Sequence, residues 1–429
     1  MAGIPTTGVP VTGVPTSARG ARTRRFDVAV TGVGLVTPAG LGVEANFETV
    51  WAGRSTAAAD PELAGLPVDF ACRVPDFDAG ALLGRRSAVR MDPISHFGVV
   101  AARQAVEDAG LDPAAWDGPR VGVVVGTSLG GWSTVEREHG KHLADGPGFV
   151  SPLLMVMGPV NMTAGYIAMD LKALGPNQVV STACASGNTA IGYARALLES
   201  GVCDIVLAGG AEAAMSPTAM ASLAKAGALS TRRDDPASAS RPFDADRDGF
   251  VAGEGAAMLV LERVEDARAR GARIRARVSG FGASADGHHA SAPDPTGGGA
   301  ERAIRAALAD ALVDASEVDH VNAHGTSTPL NDITEAGVIR RVFGEKPAVT
   351  STKGVVGHLL GAAGAAEAVY TVLAVERRLV PPTANLSSLD PGIGVDVVAK
   401  EARPMEIGAA VNDSFGFGGQ NAVIVVTPA

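Results

Sequence analysis

The strongest constraint on the fold of this chain is an internal rhyme. Four strand-and-turn stretches of the first half return in the same order in the second. "FDVAVTGVGLVTP" (26–38) is echoed by "RARVSGFGAS" (275–284), and "PRVGVVVGTSLGG" (119–131) by "DHVNAHGTSTP" (319–329). "VSTACASGNTAIGYARA" (180–196) is echoed by "AVTSTKGVVGHLLGAAGAAEAV" (348–369), and "GVCDIVLAGGAEAAM" (201–215) by "GAAVNDSFGFGGQNAVIVV" (408–426). The spacings differ because the first copy carries longer insertions. The pattern is that of a duplicated βαβ unit rather than a short-period array. Continuous apolar strands alternate with helical periodicity, as in "SHFGVVAARQAVEDAGL" (95–111), which predicts an α/β fold whose sheet is covered on both faces. The expected division is a tail over 1–25, one half over 26–270 and a second over 271–429.

In parallel α/β sheets, ligands gather beyond the carboxyl ends of the strands. The turns that carry Cys184, His324, His358 and Phe415 are therefore expected to converge on one pocket between the halves.

Composition narrows the classes of function. The net charge is −10, without the basic face of a nucleic-acid binder. Three cysteines, Cys72, Cys184 and Cys203, make neither a disulfide framework nor a metal-ligand spacing, which suits a reducing cytoplasm. No apolar run reaches the roughly 20 residues that span a bilayer. The first 25 residues are rich in Pro, Gly and Thr and then basic, lack the apolar segment of a secretion signal, and read as a disordered tail.

Cys184 stands apart from the other two cysteines because small residues flank it and a helix begins there. Backbone N–H groups and the dipole at a helix start favour thiolate, which suits acyl transfer from thioesters. His324 is followed by Gly325, Thr326, Ser327 and Thr328, which add hydroxyls and backbone donors. His358 lies five residues after Lys353, at the start of a small-residue helix that is expected to keep its imidazole uncharged. The Gly-rich loop around Phe415 and Phe417 offers N–H donors for a thioester oxygen and an aromatic gate. "GHH" (287–289) reads as loop and not as a ligand set, for want of further ligands at suitable spacing. Arg85, Arg86 and Arg90 form a short basic cluster in an acidic chain.

With "STACASG", "AGGAE", "SRPFDADRDGFVAGEGA", "VNAHGTSTP", "STKGVVGHLLGAAGA" and "NDSFGFGGQN" in this order, the chain resembles the β-ketoacyl-acyl carrier protein synthases of the thiolase-like superfamily, from about residue 26 to 427. The resemblance implies a thiolase-like fold, a duplicated five-layer α-β-α-β-α arrangement with the active site between the halves. It implies that Cys184 takes an acyl chain from acyl carrier protein as a thioester, with the amides of Cys184 and Phe415 as oxyanion hole and Phe415 as gate. His324 and His358 match the pair that promotes malonyl decarboxylation, Lys353 the lysine that supports them, and Glu335 its carboxylate partner. Thr326, Thr328 and Ser291 match contacts to phosphopantetheine. Arg85, Arg86 and Arg90 match a docking patch for the acidic carrier protein. No cofactor or metal is implied beyond the phosphopantetheine arm of the carrier.

Several positions depart from the commonest fatty-acid pattern. Asn331–Asp332 stands where Gly-Asp is frequent, as in many type II polyketide ketosynthases, and Gln420 replaces a frequent Thr. Leu223 occupies a position often held by an acyl-pocket Phe, and with Leu129, at a matching position beside a partner subunit, it implies a wider tunnel. By contrast, "HGTSTP" and "GHLLGAAGA" are close to fatty-acid elongation enzymes. The reading is a catalytic ketosynthase of a bacterial type II polyketide pathway, paired with a related chain-length subunit. The alternative is a homodimeric fatty-acid elongation synthase. A non-catalytic chain-length subunit would have lost Cys184 and the histidines, and a thiolase would carry a second cysteine near the C-terminus.

Overall fold

The computed structural model describes residues 26–429; the tail expected over 1–25 lies outside the described residues. The first half supplies β1 (Val28–Thr37), β2 (Val121–Gly126), β3 (Asn177–Val180), β4 (Ile205–Glu212) and β5 (Gly255–Arg263). The second supplies β6 (Ala276–Ala285), β7 (His320–Asn322), β8 (Ala348–Thr350), β9 (Ala410–Gly416) and β10 (Gln420–Thr427). The principal path of the sheet runs β8-β7-β9-β10-β6-β1-β5-β4-β2-β3. Each half thus repeats one order, with β6 to β10 standing for β1 to β5. The pairings repeat too: β2 is parallel to β3 and β4 as β7 is to β8 and β9, while β5 and β10 are antiparallel to both neighbours. β1 and β6 join the halves through Val28↔Val278.

Helices fill the layers. α1 (Pro93–Asp108) and α2 (Met162–Leu171) cover the outer face of the first half. α1 starts where Asp92 accepts from the Ile94 amide at 3.1 Å and Pro93 opens the first turn. Its buried residues Ile94, Phe97, Gly98, Ala101, Ala102 and Ala105 recur at three- and four-residue spacing along the face that meets the sheet. α4 (Gly298–Ala311) and α5 (Pro329–Phe343) cover the outer face of the second half. Between the halves lie α3 (Ser186–Glu199) and α6 (Ala363–Arg377), against each other and against strands of both halves. This is the five-layer α-β-α-β-α thiolase-like arrangement, and its middle layer carries the largest core, with Ile191, Ala194, Leu198, Val369 and Leu373 fully buried.

The two central helices approach through small residues. A Cβ at Gly187 of α3 would overlap the Ala365 amide of α6, and one at Gly364 would press on the Asn188 amide. Asn188 crosses this contact, its Nδ2 donating to the Asn412 carbonyl (3.0 Å), Ser414 Oγ (3.1 Å) and the Ala422 carbonyl (3.2 Å). The Asn412 amide answers, donating to Asn188 Oδ1 at 2.9 Å and to the Gly364 carbonyl at 3.0 Å. The insertions of the first half form a separate apolar cluster of Leu63, Phe70, Met215, Met220, Leu229 and Phe250, which Leu360 of the second half joins, with Leu129 and Leu223 half-buried at its edge.

Replacing Gly187 with Val must separate α3 from α6, since the obstructing atoms are backbone. The expected loss is above about 4 kcal/mol, the range of severe core disruption. Urea unfolding of Gly187→Val checks this, and a loss below about 1 kcal/mol would contradict the packing.

Candidate active site

β3 ends at Val180 and the chain turns through Ser181–Ala185 into α3. Ala183 takes a left-handed conformation (φ 49°), rare for a residue with a side chain. Ser186 locks the turn: its Oγ accepts from the Thr182 amide at 2.9 Å and donates to the Ala183 carbonyl at 2.6 Å. Cys184 is presented from this turn, buried and unpaired in any disulfide. Burial pushes its thiol up to about 11; the Lys353 charge and the backbone amides of Phe417 and Cys184 itself act in the other direction. The helix-start expectation of a lowered thiol pKa is thus reversed, because loss of hydration outweighs the favourable dipoles. Cys72 and Cys203 are buried as well, and burial raises both thiols, Cys72 to about 12.

The same amides correct the expected oxyanion hole. The amide that reaches the sulfur is that of Phe417, not Phe415. Phe415 instead sets its ring against His324, with centroids 5.7 Å apart, while Phe417 is exposed at the mouth of the site.

His324 follows β7. Glu335 of α5 grips this turn, accepting from the His324 amide at 2.6 Å and the Gly325 amide at 2.7 Å. His358 is tied by its backbone to the "DGFVAGEGA" segment: its amide donates to the Val251 carbonyl at 2.7 Å, and the Gly253 amide donates to its carbonyl at 2.9 Å. The two imidazoles meet edge to face at 5.4 Å, with Phe250 edge-on to His358 at 5.1 Å. Both rings are held well below the usual imidazole pKa, by burial first and then by the Lys353 charge, with His358 adding to the effect on His324. The expected uncharged His358 therefore has a different cause. It sits between a single helical turn (Lys353–Val356) and a 3-10 turn (Leu360–Ala362), ahead of α6, and burial rather than a helix N-terminus suppresses its charge.

Lys353 is buried and its Nζ pairs with Glu367 of α6. This corrects the expectation that Glu335 is its carboxylate partner. Glu335 is already engaged by two backbone amides and by Asn331 Nδ2 at 3.2 Å. Burial pushes both Glu335 and Glu367 up to about 7, with the Lys353 charge opposing it in each. Asp413 of β9 is fully buried beyond them with both carboxyl oxygens unpartnered, and burial and the two glutamates hold it well above the carboxylate range. Sequence reasoning missed Glu367, although it is the lone charge in "GAAGAAEAVYTVLAV" (361–375), and a lone charge in a core helix demands a counter-ion.

The remaining expected residues are placed as follows. Thr326 and Thr328 share a hydroxyl contact of 2.9 Å at the start of α5. Ser291 lies in an exposed loop, where its amide and that of Ala292 donate to His289 Nδ1 at 3.1 Å, so His289 is engaged within its own loop. The Gly418 amide donates to the Ala290 carbonyl at 2.7 Å, tying the Phe417 loop to the Ser291 loop. Arg85, Arg86 and Arg90 are exposed and make no ion pair among the described residues. Among the described residues no group of three or more His, Cys, Asp or Glu side chains is arranged to hold a metal, and no helix is long and apolar enough to cross a membrane.

A buried thiol, amide donors beside it and two imidazoles kept uncharged by burial and by a buried lysine are the equipment of an acyltransferase that works through a thioester. The comparisons agree. Residues 25–267 match the beta-ketoacyl synthase N-terminal domain and 275–387 its C-terminal domain. The chain is 43% identical over 411 residues to the 3-oxoacyl-[acyl-carrier-protein] synthase 2 of a Synechocystis species (94% of this chain, 98% of that one) and 42% identical over 405 residues to that of Vibrio cholerae (93% and 98%). Among solved structures, the ishigamide ketosynthase/chain length factor superposes with TM-score 0.89 at 37% identity (95% of this chain, 100% of that one). AntDE:AntF, described as a type II PKS acyl-carrier protein in complex with its ketosynthase bound to the hexaketide, gives 0.85 at 30% (95% and 100%). The chain belongs to the β-ketoacyl synthase family, and it is a carbon–carbon bond-forming acyltransferase.

The raised thiol has a direct readout. Iodoacetamide alkylation of Cys184 is expected to keep accelerating with pH past the ordinary cysteine value of about 8.5, towards about 11. A plateau near neutral pH, measured by mass spectrometry of the Cys184 peptide, would contradict the burial argument.

Proposed function

We propose that this chain performs the decarboxylative condensation of a malonyl group on acyl carrier protein with an acyl chain held on Cys184. The observation that carries it is the meeting of two uncharged imidazoles with a buried thiol under one buried cation. In the first stage the Cys184 sulfur attacks the carrier-bound acyl thioester, and the phosphopantetheine sulfur leaves with the thiol proton. In the second stage the malonyl carbon–carboxylate bond breaks. CO2 departs, and the electron pair passes to the enolate, whose oxygen receives hydrogen bonds from the neutral imidazoles of His324 and His358. The enolate carbon attacks the acyl-Cys184 carbonyl. The resulting oxyanion faces the Cys184 and Phe417 amides, and its collapse breaks the C–S bond to give the β-ketoacyl product and the Cys184 thiolate, which takes a proton from solvent to restore the thiol. Imidazolium could not persist in this site, so stabilisation comes from hydrogen bonding without a competing proton transfer. No cofactor enters beyond the carrier's phosphopantetheine arm, for which Thr326, Thr328 and Ser291 are the contacts. Arg85, Arg86 and Arg90 are available to an acidic carrier protein.

The acyl chain is of the polyketide kind, and the chain works in the cytoplasm beside a second chain of the same fold. Leu223 and Leu129 at the edge of the apolar cluster, and Asn331 donating to Glu335, support the first part. An open edge strand, β3, and the exposed apolar side chains Trp132, Val135, Met155, Val160 and Met169 of the same half support the second. The 3-oxoacyl synthase 2 relatives, at 40–43% identity, favour a second reading, a homodimeric fatty-acid elongation synthase. Intact-mass analysis of carrier proteins mixed with this purified chain alone separates the two. Acyl transfer to Cys184 without condensation is the result expected for the polyketide heterodimer, and a β-ketoacyl product from the chain alone would replace that reading with the homodimer.

A further inference from the structure

Glu212 is the last residue of β4, completely buried, and has no part in the chemistry above. Its carboxylate collects four donors from two separate segments. From the loop after β2, the Ser128 amide donates to Oε2 at 2.7 Å, the Thr127 hydroxyl to Oε1 at 3.1 Å and the Leu129 amide to Oε1 at 3.3 Å. From the turn after His358, the Gly361 amide donates to Oε2 at 3.1 Å. Both segments are shaped to meet the carboxylate. Leu360 takes a left-handed conformation (φ 48°), and a Cβ at Gly361 would strike the Ser128 amide and Glu212 Oε2. The Thr127 hydroxyl also accepts from the Gly130 amide at 3.1 Å, so the loop closes around the same point.

The side chains that these segments carry belong together. Leu360 is buried in the apolar cluster of the insertions, and Leu129 packs against that cluster beside Leu223. One carboxylate therefore fixes two sides of the apolar cluster next to the catalytic turns, and it does so through Gly361, which adjoins Leu360 and lies three positions after His358. The carboxylate also lies close enough to Cys184 for its charge to oppose thiolate formation. Burial of a charge in such a place is costly, and four hydrogen bonds from backbone and hydroxyl donors are what make it tolerable.

Building on the proposed acyl transfer to Cys184, we infer that Glu212 is a positioning residue that sets the acyl-chain selectivity of the site, by clamping the Leu129 loop to the Leu360–Gly361 turn. The clamp depends on reach. An aspartate keeps the charge but is one methylene too short to serve both segments. A glutamine keeps the reach: its oxygen can face the Ser128 and Gly361 amides, one from each segment, while its NH2 turns to the Thr127 hydroxyl, which can accept, and only the long Leu129 amide contact (3.3 Å) is given up.

The test is the initial rate of acyl transfer from hexanoyl- and palmitoyl-carrier protein to Cys184, followed by intact mass, for the native chain, Glu212→Asp and Glu212→Gln. The ratio of the two rates cancels any loss of active protein that affects both substrates alike. Glu212→Asp is expected to change this ratio by about tenfold, the scale of one lost charge-assisted hydrogen bond. Glu212→Gln is expected to hold it within about twofold, a difference below one ordinary hydrogen bond. Equal losses for both substrates, an unchanged ratio in Glu212→Asp, or a change in Glu212→Gln as large as in Glu212→Asp overturns the inference. Absence of acyl transfer in the native chain would instead defeat the proposed reaction, so the two failures are distinguishable.

Discussion

The contact between α3 and α6 decides the rest of this structure. Neither helix could come so close with larger residues at Gly187, Gly364 and Ala365, and van der Waals packing at that distance requires the small residues that both sequences supply. Because α3 begins just after Cys184 and α6 just after His358, their approach brings the Cys184 turn and the His358 turn into one site. Asn188 and Asn412 extend the constraint to β9, whose end leads into the Phe415–Phe417 loop. The duplication serves the same end. Each half aims its strand ends at the other, and the Cys turn and the His358 turn are the same element of the repeat used for two purposes.

One buried cation, Lys353, acts on the thiol and on both imidazoles of this site. A positive charge near an imidazole disfavours imidazolium, while near a thiol it favours thiolate. Lys353 acts on His324, His358 and Cys184 in these two senses at once. Its own burial requires a counter-ion, which Glu367 provides from α6. Desolvation remains the larger effect at every one of these groups, so the resting site holds a neutral thiol and neutral imidazoles. A neutral thiol beside neutral imidazoles is the setting in which fixed N–H donors are most effective against charge that develops on an oxygen.

Much of this was legible in the sequence, for identifiable reasons. Repeated strand-turn signatures gave the duplication and the placement of Cys184, His324 and His358, because Gly- and Ser-rich turns must follow apolar strands that end at a ligand site. The fifth strand of each half, β5 and β10, was not separated from its surroundings, since "GAAMLVLER" and "QNAVIVV" adjoin Gly-rich loops that drew the attention. Two partner assignments failed for want of distance information. Glu335 and Glu367 are both buried carboxylates on helices, and only the geometry shows that one grips backbone amides while the other pairs with Lys353. Phe415 lies in β9 and Phe417 in the turn just beyond it, and within one Gly-rich motif a sequence cannot say where the strand ends or which amide reaches the sulfur. The thiol's pKa was misjudged because the helix start is visible in sequence and the depth of burial is not.

The proposed reaction divides the labour: imidazoles release CO2, and the thiol holds the chain that receives the carbon. The most direct test measures CO2 release and β-ketoacyl product from malonyl-carrier protein, for the native chain, Cys184→Ala and His324→Ala, with a partner subunit supplied if condensation requires one. The account predicts that Cys184→Ala still releases CO2 but forms no condensation product, while His324→Ala releases CO2 at least about a hundredfold more slowly, the scale of one lost stabilising donor. Condensation that persists in Cys184→Ala, or CO2 release that is unaffected in His324→Ala, would contradict it.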